Sequence, residues 1–304
     1  MRSVSSSIAV AAAVCVFSAS AVAQSGTYSK ITMYALPAAD SAPQGITMGP
    51  DHDLWFTESN SNQIGQFAGS GPVIEHAVPT ANSNPGSITL GPDGALWFTE
   101  WDGNKIGRIS TAGAITEFDV PTPNAEPYGI TTGPDGELWF AEARPSVSKI
   151  GRITTDGAIT EYPVPTPNGS GPYGNEFGPF VVASGPDGAL WFTDYAASYI
   201  GRITTSGSLS QYPVPTANSG PSTITVGPDG ALWFTEYAGD KIGRVTTAGA
   251  FTEYPLATPG AAPSGIATGP DGALWFVEQL ADKLGRVTTS GVVTEFPGAG
   301  NNLD

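Results

Sequence analysis

An acid follows every Leu-Trp-Phe run of the chain, so that Glu58, Glu100, Glu142, Asp194, Glu236 and Glu278 occupy one place in six copies of a motif. Six carboxylates in a ring could hold a hard cation such as Mg²⁺ or Ca²⁺, which prefers oxygen ligands. A site used once does not need six copies, however. The competing expectation is that these acids accept hydrogen bonds from backbone N–H groups or pair with the basic residues that recur beside them. Of the 12 Lys and Arg residues, Lys105, Lys149, Lys241, Lys283, Arg108, Arg152, Arg202, Arg244 and Arg286 fall in a recurring Lys-Ile-Gly-Arg-Ile-like motif. Charge pairs between repeats account for that distribution with no function invoked. Arg144, in Ala143-Arg144-Pro145-Ser146-Val147, breaks the pattern and is the expected contact for an anion such as a carboxylate or a uronate.

The 2 histidines are poorly placed for catalysis: His52 stands in a Gly-Pro-Asp-His turn and His76 replaces the Tyr or Phe of an outer strand. Cys15, the only cysteine, lies in the N-terminal apolar run. Ser-His and Cys-His nucleophilic chemistry therefore lack a base. The remaining general-base candidates are Tyr128 and Tyr173, with Tyr195 and Tyr237 behind two of the acids. A phenol near pKa 10 needs a cation or an arginine beside it to ionise at neutral pH. Such a pair, a tyrosinate and a cation or Arg144, suits an elimination in which an acidic proton is removed and an enolate is stabilised.

The elements that position these groups follow from self-comparison. Trp55, Trp97, Trp139, Trp191, Trp233 and Trp275 recur at spacings of 42, 42, 52, 42 and 42 residues. Each copy reads Pro-x-x-Ile-Thr-like segment, Gly-Pro-Asp-Gly turn, Leu-Trp-Phe-Thr-Glu, Lys-Ile-Gly-Arg-Ile, then Ile-Thr-Glu-Tyr-Pro-Val-Pro-Thr. Pro presets φ and Gly supplies positive φ, so Pro-Asp-Gly between apolar runs is a turn. Leu-Trp-Phe, apolar on both strand faces, reads as a strand covered on both sides. A period of this length with four strands per copy predicts an all-β, single β-propeller of six four-stranded blades, beginning near Pro43, Pro85, Pro127, Pro179, Pro221 and Pro263. Seven blades or a linear solenoid are the alternatives. Ile31-Thr32-Met33-Tyr34-Ala35-Leu36-Pro37 also matches an outer strand and competes with Val292–Phe296 for the last outer slot.

The long spacing contains an insertion, Asn168 to Phe180, between the outer strand of blade three and the inner strand of blade four. It belongs on the face that carries the acids, opposite the Gly-Pro-Asp-Gly turns, and is either a wall of a ligand site or a tolerated surface loop. Asn168-Gly-Ser170 is the one acceptable glycosylation sequon. A site is best sought where the repeat breaks its own symmetry. That criterion selects Tyr173, Asn175, Glu176 and Phe177 of the insertion, with Arg144, Glu126 and Tyr128, as the wall of a site for a small or saccharide-like ring.

Composition bounds the rest. With 39 Gly, 27 Pro and 13% charged residues, long helices are excluded. A net charge of −16 excludes a nucleic-acid partner. Residues 1–23 read as a secretory signal, with Arg2 at the start, an apolar run over 8–17 and Ala21-Val22-Ala23 at the cleavage site. Residues 24–304 then form a secreted, extracellular propeller that is expected to be a monomer with no membrane partner.

The motifs Gly-Pro-Asp-Gly-Ala-Leu-Trp-Phe-Thr-Glu, Asn104-Lys-Ile-Gly-Arg-Ile and Ile-Thr-Glu-Tyr-Pro-Val-Pro-Thr resemble those of the virginiamycin B (streptogramin B) lyase family across almost all of residues 28–297. The resemblance implies a propeller, seven-bladed in the antibiotic lyases, that opens a cyclic depsipeptide by Mg²⁺-assisted elimination, a carbon–oxygen lyase reaction. It implies catalytic histidines in Pro-His-Ala-Ile and Pro-His-Gly-Ile of the last two blades. Here those segments read Pro221-Ser222-Thr223-Ile224 and Pro263-Ser264-Gly265-Ile266, and Ala262 stands where the family has an acid. Glu278 is retained and is the candidate metal ligand. Two readings follow: a binding propeller for a small-molecule or glycan ligand, or a lyase with a tyrosine base and a divalent cation, acting on a cyclic depsipeptide or a uronate-type substrate.

Overall fold

The computed structural model describes residues 34–144, 146–165 and 178–297. These residues form 24 strands and no helix, gathered into six antiparallel four-stranded sheets in which chain order is also spatial order. The inner strands start at Pro43, Pro85, Pro127, Pro179, Pro221 and Pro263, as the repeat predicts. We number the blades 1 to 6, spanning 43–77, 85–119, 127–163, 179–213, 221–255 and 263–297.

The Leu-Trp-Phe strand holds neighbouring blades together because alternate side chains leave it on opposite faces. In blade 4, Leu190 and Phe192 pack back on Trp139 and Ile150 of blade 3, while Trp191 packs forward on Ile224, Leu232 and Phe234 of blade 5. Phe192 is paired in register with Gly201, and a Cβ there would come within 2.0 Å of the ring, which explains the Gly of the Lys-Ile-Gly-Arg motif. The indole of Trp191 stacks on Tyr212 at 5.5 Å and donates to Asp187 at 3.0 Å, and Arg202 lies over it at 5.9 Å. Blade 1 keeps the stack with a substitute: His76 lies on Trp55 at 5.5 Å and contacts Gln66, which stands where other blades have Arg. Both histidines are thus accounted for away from the acids; His52 takes the left-handed turn position, φ 67°, that Gly fills elsewhere.

The basic residues pair within blades, which corrects the expectation of pairs between them. Each motif arginine bonds the aspartate of its own Pro-Asp-Gly turn, as Arg202 does with Asp187 at 2.7 Å. Lys149, Lys241 and Lys283 bond the outer-strand acids Glu161, Glu253 and Glu295 of their own blades, and Lys105 bonds Asp119. The cross-strand register brings these columns together on one sheet, so a partner in another blade is not needed. Bonds between blades come from threonines, as Thr57, Thr99 and Thr193 donate to the carbonyls of Gly86, Tyr128 and Ser222, and the outer-strand acids tie in the connecting segments. Glu161 accepts from the backbone and hydroxyl of Thr122, and Glu253 from those of Thr216, in the segments leading from one blade to the next.

The last outer slot goes to Val293–Pro297, paired with Lys283–Val287. Residues 31–33 lie outside the described residues; Tyr34 sits against Phe67 of blade 1, ring centroids 4.7 Å apart.

Candidate functional site

Each inner strand begins opposite an acid, in pairs such as Pro127↔Glu142 and Pro221↔Glu236. The acids, the starts of the inner strands and the segments leading into them therefore share one face. The acids do not line an open ring. Glu58, Glu100, Glu142, Asp194 and Glu236 are fully buried and Glu278 nearly so, at 1% exposure. Glu58 accepts from Ser61, and Asp194 from the backbone of Ala197. No hydrogen bond of ordinary geometry reaches the carboxylate oxygens of Glu100, Glu142, Glu236 or Glu278 among the described residues, although the hydroxyls of Ser83, Thr122 and Ser219 stand near the first three, so the expected backbone or basic partners are not what holds these four. Burial, reinforced by the outer-strand acids Glu117 and Glu161, pushes Glu100 and Glu142 up to about 8. The same causes, with Glu253 and Glu295, push Glu236 and Glu278 up to about 7. At neutral pH Glu100 and Glu142 lean toward the protonated form, and Glu236 and Glu278 stand near half-protonation.

Two columns of the repeat vary from blade to blade on this face. Directly after each inner-strand proline stand Gln44, Gly86, Tyr128, Phe180, Ser222 and Ser264; directly after each acid stand Ser59, Trp101, Ala143, Tyr195, Tyr237 and Gln279. The aromatic members fall in consecutive blades and touch in series. Trp101 meets Tyr128 edge-on at 5.3 Å, Tyr128 stacks on Phe180 at 4.1 Å, and Phe180, Tyr195 and Tyr237 follow at 6.2 and 6.4 Å. Ala143 lies in the same cluster, fully buried. Blades 6 and 1 carry Ser264, Gln44 and Ser59 instead, with Gln44 donating to Ser59 at 3.1 Å. The face is divided into an aromatic half and a polar half.

Arg144 and Glu126 flank the aromatic half. The backbone of Ala143 and Arg144 bonds the carbonyls of Glu126 and Ala125, and the guanidinium stands 3.8 Å from the Glu126 carboxylate with 43% of the side chain exposed. Burial raises Glu126, and Arg144 offsets part of that. Of the residues singled out in the sequence, Arg144, Glu126 and Tyr128 are thus brought together. Tyr173, Asn175, Glu176, Phe177 and the sequon at Asn168 lie outside the described residues. As a base Tyr128 is unsuited: burial pushes its phenol up to about 12, away from ionisation. Trp101 is not among the residues that broken symmetry selects, and Phe180 enters only as the last residue of the insertion. Their signal was available in the sequence, because both stand in repeat columns whose residue type changes from blade to blade.

The chain matches the model of the virginiamycin B lyase family over residues 11–174 and 170–302. It belongs to that family. Virginiamycin B lyase from Staphylococcus aureus is 42% identical, with 87% of each chain covered and a TM-score of 0.80. A catalytically inactive histidine-to-alanine variant of that enzyme, in a structure with quinupristin, is 41% identical over 88% of this chain and 87% of the other, TM-score 0.81. A putative 6-phosphogluconolactonase from Bacteroides fragilis, 17% identical over 84% of this chain and 83% of the other, TM-score 0.64, shares the fold alone.

Within this member of the virginiamycin B lyase family, Ser222 and Ser264 are buried at 3% and 0% exposure. The Ser222 carbonyl accepts from Thr193, and the Ser264 hydroxyl has no partner among the described residues. The residues present do not fit the Mg²⁺ that the resemblance implies. Glu278 is buried and shifted toward its neutral form, Ala262 supplies no ligand, and no group of three His, Cys, Asp or Glu gathers among the described residues.

Proposed function

We propose that the chain is an exported binding propeller that holds a small ring-containing ligand, saccharide-like in size and polarity, on the aromatic half of the acid-bearing face. The observation that carries this is the arc from Trp101 through Tyr128 and Phe180 to Tyr237, flanked by the Arg144–Glu126 pair. Aromatic faces take up the apolar face of a sugar or a planar ring, and an arginine fixes a carboxylate or hydroxyl at its edge. Export rests on the sequence of residues 1–23.

The reading excludes the ring-opening of the antibiotic lyases. That elimination breaks a C–O bond as a proton leaves the adjacent carbon, and it needs a base and an acid. Imidazole can serve as either near neutral pH. The hydroxyls of Ser222 and Ser264 cannot, and a phenol held up at about 12 does not replace it. Because the elimination conserves mass, the assay follows quinupristin by chromatography with fragmentation. No linear product is expected; turnover abolished by a chelator overturns this half of the proposal.

Binding is tested by calorimetry against glycans and cyclic depsipeptides. For a ligand so found, Arg144→Ala and Tyr128→Ala are expected to weaken affinity about tenfold each, the scale of one charge-assisted bond or one ring contact. His52→Ala, on the opposite face, is expected to change nothing. Unchanged affinity in both face variants removes the site from this half of the mouth.

A further inference from the structure

The aromatic half of the acid-bearing face has an open corner in blade 2. Directly after the inner-strand proline the other blades carry Gln44, Tyr128, Phe180, Ser222 and Ser264, and blade 2 carries Gly86. A Cβ on Gly86 would stand 3.3 Å from the Thr99 hydroxyl and 3.9 Å from Cδ2 and Cε2 of the Tyr128 ring, with no other non-adjacent residue closer. Blade 2 thus puts no side chain beside that ring, where every other blade has one in the column. Phe180 covers one face of Tyr128 at 4.1 Å, and Trp101 stands at right angles to it at 5.3 Å. Trp101 is fixed at the corner by its backbone, whose N–H donates at 3.2 Å to the carbonyl of Asn84, just ahead of Gly86. Trp101 and Tyr128 are both half-buried.

Charge selects what such a corner takes. Asp102 follows Trp101 and is exposed, accepting from the Asn84 side chain at 3.2 Å. Glu126 precedes the inner strand of Tyr128, with 29% of its side chain exposed and Arg144 at 3.8 Å. The three charges act on one another: burial raises Glu126 most, Arg144 opposes that and Asp102 adds to it. Around the mouth, the loops after the acids and the segments entering the blades carry Asp40, Asp102, Glu126, Asp240 and Asp282 against Arg144 alone, among the described residues. The motif lysines do not redress the balance, because each is matched by an acid of its own blade. Such a field repels a carboxylate and draws a cation. The face of an aromatic ring is the negative part of its quadrupole, so rings and acids act in the same sense.

We infer that the corner of Trp101, Tyr128 and Gly86 receives an organic ammonium group, so that the ligand of this face is an amine-bearing, sugar-sized ring and not a uronate. The inference rests on the binding reading above and narrows its ligand class. The ammonium lies against the two rings with Asp102 and Glu126 at the rim, and Arg144, engaged by Glu126, is left to contact a hydroxyl of the same ring.

Titration calorimetry compares three rings of one size and different charge: N,N,N-trimethylglucosaminium, N-acetylglucosamine and glucuronate. At low salt the cation is expected to bind about tenfold more tightly than the neutral sugar, and glucuronate least tightly of all. Added salt is expected to narrow the gap. Trp101→Leu, which keeps apolar bulk and removes the ring, is expected to weaken the cation about fivefold and the neutral sugar less. Asp102→Asn combined with Glu126→Gln is expected to weaken the cation about fivefold and leave the neutral sugar unchanged. Gly86→Gln, which supplies the side chain that blade 1 carries in the same column, is expected to fill the corner and abolish the preference. Equal affinities for the three rings, or a preference for glucuronate, overturns the inference; the ring site itself then stands if Tyr128→Ala still weakens the neutral sugar. A cation preference that survives both Trp101→Leu and the double variant also overturns it, because the ammonium then sits elsewhere. If none of the three rings binds, the inference falls, and the screen of glycans and depsipeptides alone decides the reading beneath it.

Discussion

Trp191→Ala is expected to lower the unfolding free energy by about 4 kcal/mol, the upper part of the range for large-to-small changes in a core. Trp191 is fully buried in the junction between blades 4 and 5, and it also carries a hydrogen bond, a stack and a cation contact. Truncation opens a cavity between two rigid sheets that cannot close on it, and it removes the donor that Asp187 shares with Arg202. Against a total stability of roughly 5–15 kcal/mol, such a loss brings the protein to the edge of unfolding at room temperature. Guanidinium unfolding reads the effect as a lower midpoint at unchanged slope. Trp101→Ala is the control. Half-buried on the acid-bearing face, Trp101 is expected to cost about 1 kcal/mol and to act on ligand affinity instead. Equal losses in the two variants would mean that the aromatic arc is core and not a binding surface.

The difference between these two tryptophans marks how far the sequence can be read. Trp191 recurs with a fixed period, so its strand, its turn and its place between blades follow from the repeat alone, and the six inner-strand prolines fall where the period puts them. The partner of Arg202 does not follow, because spacing along the chain is silent about which of two carboxylate columns lies across the sheet. Register decides that, and it places Asp187 in the same blade. Nor does a six-fold count reveal that the junction of blades 6 and 1 differs from the other five. That shows only in the space around Gly265, where a Cβ would meet nothing of blade 1. For the candidate site, insertions and odd loops drew attention to Arg144, whereas Trp101 and Phe180 sit in regular strands and loops. Comparing residue types down each column of the repeat would have found them.

Stability is expected to peak near pH 5 and to fall on both sides, with the larger loss on the alkaline side. Glu100 and Glu142, up to about 8, and Glu236 and Glu278, up to about 7, are raised by burial first and by neighbouring acids second. Burial likewise raises Asp194 to about 6, the Ala197 N–H opposing it. In the unfolded chain all five titrate near 4, so the folded state binds more protons between about pH 4.5 and 8. Stability from these groups is complete below the unfolded values and is lost as pH rises through the folded ones. The opposite sign holds for Glu161, Glu253 and Glu295 and for the turn aspartates. Burial pushes these up, but their hydrogen bonds outweigh it, and Glu295 falls to about 2. Their contribution is present above about pH 4 and is lost in acid. A tenfold change in proton affinity is worth about 1.4 kcal/mol. Five acids raised by roughly two to three and a half such steps would exceed the whole stability of a domain, so water reaching the carboxylates must return part of that cost. A net loss on the order of 5 kcal/mol between pH 5 and pH 8 is expected. Denaturant unfolding at pH 3, 5 and 8 measures it. Glu142→Gln, neutral at every pH, should reduce the alkaline loss and leave the acid limb unchanged, and Asp187→Asn should do the reverse. Stability that stays level or rises from pH 5 to 8 would show that the buried acids are ionised in the folded ring, and the protonated seat derived from their missing partners would then be wrong.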